Sequence, residues 1–272
     1  MTYPKLSLTD WRRTRDTLHG YCKLLGGVRR SSSPRQRHWS HVTLQVAAEG
    51  LTTTPVPAHA AVFELRLDLV GHRLQIAGSR GEVPGVEITG QSTSDFLEAI
   101  VSGLSDLGLT VDPDFADFAD EQPGEWDRAA IERFWSGLVQ IDSVFKAFKG
   151  GQRLETSPVQ LFPHHLDLAL SWYSGRLVPD QDPQDEDAAD EQMTFGFSTG
   201  DNTIADPYFY ATAYPEPPGF VGSDLPAEGY WQQDGFSGAV LTYSELVTAQ
   251  EPDILLRRFL DMAHDGGASR MT

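Results

Sequence analysis

The feature that most constrains the fold is a correspondence between two stretches of the chain at one constant offset. Shifting residues 11–46 by 124 positions, without a gap, places nine identical residues opposite one another. The identical pairs are Trp11/Trp135, Gly26/Gly150, Gly27/Gly151, Arg29/Arg153, Ser33/Ser157, Pro34/Pro158, Gln36/Gln160, His41/His165 and Leu44/Leu168. One offset that carries so many residue types indicates an internal duplication. The chain is therefore predicted to contain two copies of one structural unit.

Hydrophobic periodicity predicts the same order of elements in both halves, namely a helix, four strands and a helix. In the first half the predicted elements are a helix from Thr9 or Asp10 to Gly26-Gly27, strands at 41–47, 62–70, 73–77 and 83–88, and a helix at 94–107. In the second half they are a helix at 128–148, a strand from His165, strands at 193–197, 208–214 and 239–242, and a helix at 252–264. This order predicts an α+β protein of two pseudo-symmetric α-β4-α repeats, each an antiparallel sheet with helices on one face.

Two acidic stretches predict the domain organisation. Residues 112–127 are predicted to be an acidic linker between an N-terminal repeat, 1–111, and a C-terminal repeat, 128–272, with both repeats packed as one globular unit. Residues 178–192 are still more acidic and nearly free of apolar side chains, so they are predicted to form a solvated loop.

The charges are divided unevenly along the chain, and this bears on its partners. There are 12 basic against 10 acidic residues up to Val111, and 9 against 29 from Asp112 onward. Such acidity repels phosphate backbones, so we expect no nucleic-acid partner. No apolar run approaches the roughly 18 residues of a membrane span, so no membrane partner is expected. The single cysteine, Cys22, excludes an internal disulfide and favours a cytoplasmic location.

The stretch SPVQLFPHHLDLAL contains the main candidate site, because His165 and Asp167 open a predicted strand and point away from Leu166 and Leu168. His41 has the equivalent place in the first half. If the two strands meet at a pseudo-twofold axis, the three side chains converge. Two histidines and one carboxylate suit a divalent metal ion with open positions for water or substrate. The same trio also suits metal-free acid–base catalysis, and a third interpretation makes the histidines purely structural.

Other residues are candidates for binding a substrate. Arg29, with Arg30, Arg35 and Arg37, has the charge to hold an anion, although such a set is also typical of a solvated loop. We expect Arg29, its counterpart Arg153, and Tyr210 to contact a small-molecule ligand, with His164 as a further helper. The alternating tyrosines at 208, 210 and 214 are typical either of an aromatic-lined pocket or of packing under a loop.

Ser198 lies in the sequence GFSTG, which matches the pattern around the nucleophilic serine of some hydrolases. That motif requires a helix directly after the serine. The residues that follow are poor helix formers, so a hairpin is favoured over a nucleophile at this position.

Four blocks of the sequence resemble a bacterial family known only as a domain of unknown function, number five-nine-nine-six. The blocks are RHWSHVTLQVAAEGLTTTPVP, SPVQLFPHHLDLALSWYSGR, GFSTGDNTIADPYFYATAYPEPPGF and GFSGAVLTY. The resemblance extends from Trp11 to Leu260 and implies no activity. The family blocks contain His38, His41, His165, Asp167, Tyr214 and Pro215.

The sequence therefore predicts a small-molecule enzyme or binding protein with its site at the seam between the repeats, and it does not decide whether the protein is an enzyme. The alternative is a non-catalytic interaction protein, in which the acidic loops engage a basic partner and the histidines are structural.

Overall fold

The computed structural model describes residues 3–111, 119–185 and 188–271. It contains helices and two antiparallel sheets, which confirms the predicted α+β class. The chain divides into two compact units that alternate along the sequence. Unit 1 consists of Met1–Leu8, Ser136–Val159 and Asp167–Thr272, and unit 2 consists of Thr9–Trp135 and Gln160–Leu166.

Unit 2 combines a long helix, a sheet and a second helix. Its elements are α1 (Leu8–Ser32), a 3-10 turn (Arg37–Val42), β1 (Gln45–Val46), β2 (Gly50–Thr52), β3 (Val56–Ala58), β4 (Ala61–Asp68), β5 (Arg73–Gly78), β6 (Gly81–Glu87) and α2 (Thr93–Asp106). The strand order is β1-β2-β4-β5-β6, and β3 also pairs with β4. Phe63, Leu65 and Leu67 alternate toward the core, and Phe96 of α2 stacks on Tyr21 of α1.

Unit 1 is a second antiparallel sheet with helices against one face. The elements that follow α2 are α3 (Arg128–Gly150), β7 (Gln160–Phe162), β8 (Asp167–Leu177), β9 (Asp190–Ser198), β10 (Tyr208–Tyr214), β11 (Gly229–Gln232), β12 (Gly238–Thr242), α4 (Tyr243–Thr248) and α5 (Pro252–Ala268). The strand order is β11-β12-β10-β9-β8. Phe145 and Phe148 of α3 pack on Phe209 and Phe195 of the sheet, which fixes the face that the helices cover.

β7 belongs to unit 2, where Leu161 forms an antiparallel bridge with Leu44. The main-chain hydrogen bonds between these two residues are 2.9 and 2.8 Å long. The bridge places the side chain of Gln160 beside Thr43, in the segment that follows α1.

The sequence predicts glycine stops at Gly26-Gly27, Gly108, Gly150-Gly151 and Gly266-Gly267, and two of these four are wrong. Gly108 follows the end of α2 with φ 68°, as predicted. α1 continues through Gly26-Gly27 to Ser32, and α5 continues through Gly266-Gly267 to Ala268. At Gly26 an added Cβ would lie 2.7 Å from Cγ of Pro163, so this glycine provides room for a close approach and does not end the helix. Gly150 is the last residue of α3, as predicted.

The prediction that His41 and His165 begin strands is also wrong. His41 lies in the Arg37–Val42 turn, and the next strand begins at Gln45. His165 lies in a turn, and β8 begins at Asp167. The guanidinium of Arg29 donates hydrogen bonds to the carbonyl oxygens of Ser40 and Thr43, so this main chain is held as a turn. The duplication itself stays a prediction, because the helix and strand bounds do not establish a repeat.

The predicted linker falls partly on residues 112–118, which lie outside the described residues. The described remainder is tied to α1, because the main-chain nitrogens of Glu125 and Asp127 donate to the hydroxyls of Thr17 and Thr14, each at 3.0 Å. Residues 178–189 of the predicted 178–192 loop connect β8 and β9 and are largely exposed, although Ala189 is fully buried and residues 186–187 lie outside the described residues. The prediction is wrong at residues 190–192, which belong to β9. Among the described helices, none has the length and apolar character needed to cross a bilayer.

Candidate functional site

The face of the unit 1 sheet opposite α3 and α5 is rich in polar side chains. On β10, Phe209 and Ala211 are fully buried on the helix-covered face. Tyr208 and Tyr210 alternate with them and point to the opposite face. The strand register pairs Tyr208 with Ser198 and Tyr210 with Gly196, so these positions share that face. We call this surface the hydroxyl face; its polar members are Asp167, Ser171, Thr194, Ser198, Tyr208, Tyr210 and Thr212.

A hydrogen bond between Tyr210 and Asp167 is the central feature of the hydroxyl face. The phenol oxygen of Tyr210 donates to Oδ2 of Asp167 at 2.5 Å, although the two residues lie on strands separated by β9. The ring reaches across β9 because Gly196 has no side chain, and a Cβ there would lie 2.2 Å from Cζ of Tyr210. A glycine inside a strand often marks such a close approach.

A second bond of the same kind lies beside the first. Tyr208 donates to Oδ2 of Asp201 at 2.5 Å, and the rings of Tyr208 and Tyr210 are 6.2 Å apart. The other carboxylate oxygen of Asp201 accepts from the main-chain nitrogens of Thr203 and Ile204, at 2.7 and 2.9 Å. Asp201 therefore holds the loop after β9 in place and also binds the phenol of Tyr208.

The protonation states of these phenols follow from their surroundings. Burial, followed by the charge of Asp167, raises the pKa of Tyr210 well above its usual value of 10. Burial and the hydrogen bond to Asp201 also raise the pKa of Tyr208. An ionised phenolate beside a carboxylate would place two negative charges together. Both phenols are therefore hydrogen-bond donors over the physiological pH range, and the carboxylates are their acceptors.

Ser198 has the setting of a turn residue. It is buried at the end of β9, and its Oγ accepts a hydrogen bond from the main-chain nitrogen of Gly200 at 3.1 Å. The loop at 199–207 follows it, with no helix before β10. The strand-turn-helix context that a nucleophilic serine needs in this motif is thus missing from these described residues.

Unit 2 contains a buried arginine, Arg29, in the last turn of α1. It is 8% exposed, and it donates from Nη2 to the carbonyl oxygen of Ser40 at 3.3 Å and from Nη1 to that of Thr43. Burial lowers the pKa of Arg29 from its usual value. The hydroxyl of Thr43 is 2.9 Å from Oε1 of Gln160, so Thr43 lies between the arginine and the glutamine.

His41 is also buried, in the same turn as Ser40. Its Nδ1 accepts from the main-chain nitrogen of Gln36 at 3.3 Å, and its ring stacks on Trp39 with centroids 5.6 Å apart. A nitrogen that accepts a main-chain hydrogen bond has its lone pair engaged and cannot also bind a metal ion. Nδ1 of His41 is therefore engaged with the main chain of the turn.

The predicted catalytic trio is divided between the two units. His41 and His165 belong to unit 2, where His41 is buried and His165 is exposed, and Asp167 belongs to unit 1. Across the described ranges, no three or more His, Cys, Asp or Glu side chains form a group able to hold a metal ion. The trio and its divalent metal ion therefore stay predictions, and the function proposed below makes no use of a metal.

The remaining predicted binding residues lie in different surroundings. Arg153 is exposed in unit 1, whereas its counterpart Arg29 is buried. His164 is exposed as a residue, and partial desolvation of its ring, with the neighbouring charges of His165, Lys23 and Arg30, lowers its pKa. Asp201 and Gly196 were not predicted as site residues. A glycine inside the alternating pattern of a strand was the available signal for Gly196.

Comparison with known proteins identifies a family and no relative of known activity. The model of a family of unknown function, DUF5996, matches residues 3–272. No curated protein matches the chain, and no solved structure matches it.

Proposed function

Because this chain belongs to the DUF5996 family, which supplies no activity, we propose a function from the hydroxyl face itself: it binds a small molecule rich in hydroxyl or amine groups. The observation that carries the proposal is the pair of adjacent phenol–carboxylate hydrogen bonds, Tyr210 to Asp167 and Tyr208 to Asp201.

The chemistry of these groups selects the ligand class. An ionised carboxylate is a strong acceptor for hydroxyl and ammonium donors. A ligand donor that reaches Asp167 takes the place of the Tyr210 phenol, which is then free to donate to a ligand oxygen. Tyr210 is half-buried, so part of the residue is open to solvent, and the aromatic rings offer apolar area beside the polar groups. Carboxylates repel anionic ligands, so acids are excluded from the proposed class.

Asp167 and Tyr210 also suit acid–base chemistry, so proton transfer is the reaction type that we propose for this site. Asp167 accepts a proton from the bound ligand, and the protonated Tyr210 donates one to a ligand oxygen or nitrogen. The raised pKa of Tyr210 keeps its proton in place until the ligand binds. A general acid and a general base within hydrogen-bond reach of one ligand is the arrangement that such catalysis requires.

A second candidate is the non-catalytic interaction protein, which the setting of His41 favours. A buried histidine that accepts a main-chain hydrogen bond and stacks on Trp39 has a structural role. In this alternative the exposed acidic residues of the 178–192 loop bind a basic partner, and the hydroxyl face binds nothing. The experiment below separates the two, because small-molecule binding is expected under the first proposal alone.

The test is thermal unfolding of the full chain with xylitol as a polyol, putrescine as a diamine and succinate as an acid. We expect xylitol or putrescine to raise the Tm, because a ligand that binds the native state stabilises it. Succinate is not expected to bind at the hydroxyl face, so its effect on the Tm should be the same in the wild type, Tyr210→Phe and Asp167→Asn. The rise should disappear in Tyr210→Phe and in Asp167→Asn.

Tyr214→Phe is the matched control, because Tyr214 lies on the same strand, two register positions from Thr212, and is exposed. It should keep the full response. Two results would contradict the proposal: no response of the wild type to either the polyol or the diamine, or an equal response in all three variants.

A further inference from the structure

Arg29 is a buried cation without a matching carboxylate. Its guanidinium bonds to the carbonyl oxygens of Ser40 and Thr43, and Nε has no partner and no contact with solvent. No ion pair joins Arg29 to an acidic side chain within residues 3–111, 119–185 and 188–271. Carbonyl dipoles offset part of the cost of burying a positive charge, but a full negative charge is the usual counterpart.

A second buried donor belongs to Gln160, which contacts the same threonine as Arg29. Gln160 is 1% exposed, and its Nε2 has no hydrogen-bond partner among the described residues. Both side chains contact Thr43, Arg29 through the main-chain oxygen and Gln160 through the hydroxyl. Buried donors are nearly always paired, so two of them beside one threonine indicate an acceptor that binds there.

The turn that encloses this cluster is strained. His38 (φ 52°, ψ 34°) and Trp39 (φ 57°, ψ 20°) are consecutive residues in the left-handed region, which non-glycine residues seldom adopt. Such residues are concentrated at ligand clamps and switch regions. The turn supplies the Ser40 carbonyl that faces Arg29, so movement of the turn uncovers the guanidinium.

We propose that Arg29, Thr43 and Gln160 bind an oxyanion, the carboxylate or phosphate group of a ligand, and that the Arg37–Val42 turn moves to admit it. The carbonyl oxygens of Ser40 and Thr43 occupy the place that the anion oxygens take in the bound state. The planar guanidinium fork matches both carboxylate and phosphate. The exposed side chains of Arg30, Arg35 and Arg37 flank Arg29 and the turn along the chain, and their positive charge raises the local concentration of anions.

The site lies in unit 2 and does not depend on the hydroxyl face, so either proposal can fail alone. The experiment is thermal unfolding of the full chain in chloride, inorganic phosphate and acetate at equal ionic strength. With phosphate or acetate in large excess over its Kd, we expect the Tm to rise by about 3 °C or more. A response to phosphate alone identifies a phosphate site, and a response to acetate identifies a carboxylate site.

Arg29→Gln should abolish the response, and its neighbour Arg30→Gln removes the same charge from an exposed position and should keep it. Gln160→Glu covers the case in which Arg29→Gln does not fold. It places a carboxylate of the same shape next to the buried cation, so the Tm in chloride should be unchanged or higher, and the anion response should vanish.

Three results would overturn the proposal. The first is the absence of a response to both anions in the wild type. The second is a response that persists in Arg29→Gln or Gln160→Glu. The third is a large fall in Tm for Gln160→Glu, because that result would mean that the new carboxylate is buried without a partner.

Discussion

The two stretches related by the offset of 124 keep their apolar environments and differ in their polar ones. Trp11 and Trp135 are both buried, and Leu44 and Leu168 are both fully buried. Arg29 is buried, whereas Arg153 is exposed, and His41 is buried, whereas His165 is exposed. Every compact unit needs a core, and a polar side chain takes its role from neighbours that differ from one place in the fold to another. A shared residue type at one offset therefore predicts a shared core position better than a shared chemical role.

The largest effects are expected where the two stretches agree. Leu44→Ala and Leu168→Ala should each lower the free energy of unfolding by about 2–5 kcal/mol, because each removes a fully buried large side chain. Urea denaturation measures both. If alanine at either position left the free energy of unfolding almost unchanged, the claim that both leucines occupy core positions would be wrong.

Gly26 and Gly150 are equivalent at the offset of 124 but differ in their surroundings. Gly26→Ala should destabilise the protein by about 1–3 kcal/mol, because its Cβ would meet the ring of Pro163. Gly150→Ala meets no atom within 4 Å and should stabilise it by about 0.4–1 kcal/mol through the unfolded chain. Stability changes of opposite sign in the urea denaturation assay support the difference between Gly26 and Gly150. Changes of the same sign would contradict it.

His41 and His165 test directly whether polar residues at equivalent positions have different roles. His41→Ala should cost about 1–2 kcal/mol, because it leaves the main-chain nitrogen of Gln36 without its acceptor and removes the stacking on Trp39. His165→Ala should change stability by less than about 0.5 kcal/mol, because the side chain is exposed. Equal losses for both variants would show that the two histidines have the same role after all.

A pH-dependent effect concerns the turn that carries His165. Nε2 of His19 is 3.0 Å from the carbonyl oxygen of His164, and burial, with the charges of Lys23 and Arg15, lowers the pKa of His19 to about 4. Between the ordinary value of 6.5 and about 4, the unfolded chain takes up a proton that the folded chain refuses. Stability should therefore be complete above pH 6.5 and fall as the pH drops toward 4.

The half-exposed ring of His19 limits this pH effect to roughly 1 kcal/mol. His19→Gln keeps a side-chain donor for the His164 carbonyl and removes the titration. The difference in Tm between wild type and His19→Gln, followed from neutral to acidic pH, isolates the contribution of this one group. A constant difference across that range would mean that His19 does not titrate as described.

Strong periodicity made the larger elements predictable. The strand Tyr208–Tyr214 has exactly the predicted bounds, and α2 differs from its prediction by one residue at each end. Short elements such as β7, β11 and α4 were missed, because three to six residues are too few for a periodic pattern. The glycine stops failed at Gly26 and Gly266, where the helix needs a small residue for packing against Pro163 or Ser223.

The candidate site was predictable in its residue types and not in its connections. Asp167 and Tyr210 were both named from sequence, but as members of different groups. Their hydrogen bond depends on the register of three strands and on the bare backbone at Gly196, which no local pattern of the sequence encodes. The burial of Arg29 likewise depends on the carbonyl oxygens of Ser40 and Thr43, at a turn that extends into the predicted strand 41–47.

The central claim is that a donor-rich small molecule binds at the Tyr210–Asp167 pair, and NMR of the tyrosine ring carbons tests it most directly. On addition of xylitol or putrescine to the full chain, the signals of Tyr210 and Tyr208 should move, because the ligand replaces their carboxylate bonds. The signals of the exposed Tyr214 and Tyr230 should stay in place. If saturating ligand leaves Tyr210 unmoved, or if it moves the two exposed tyrosines instead, the hydroxyl face is not the binding site.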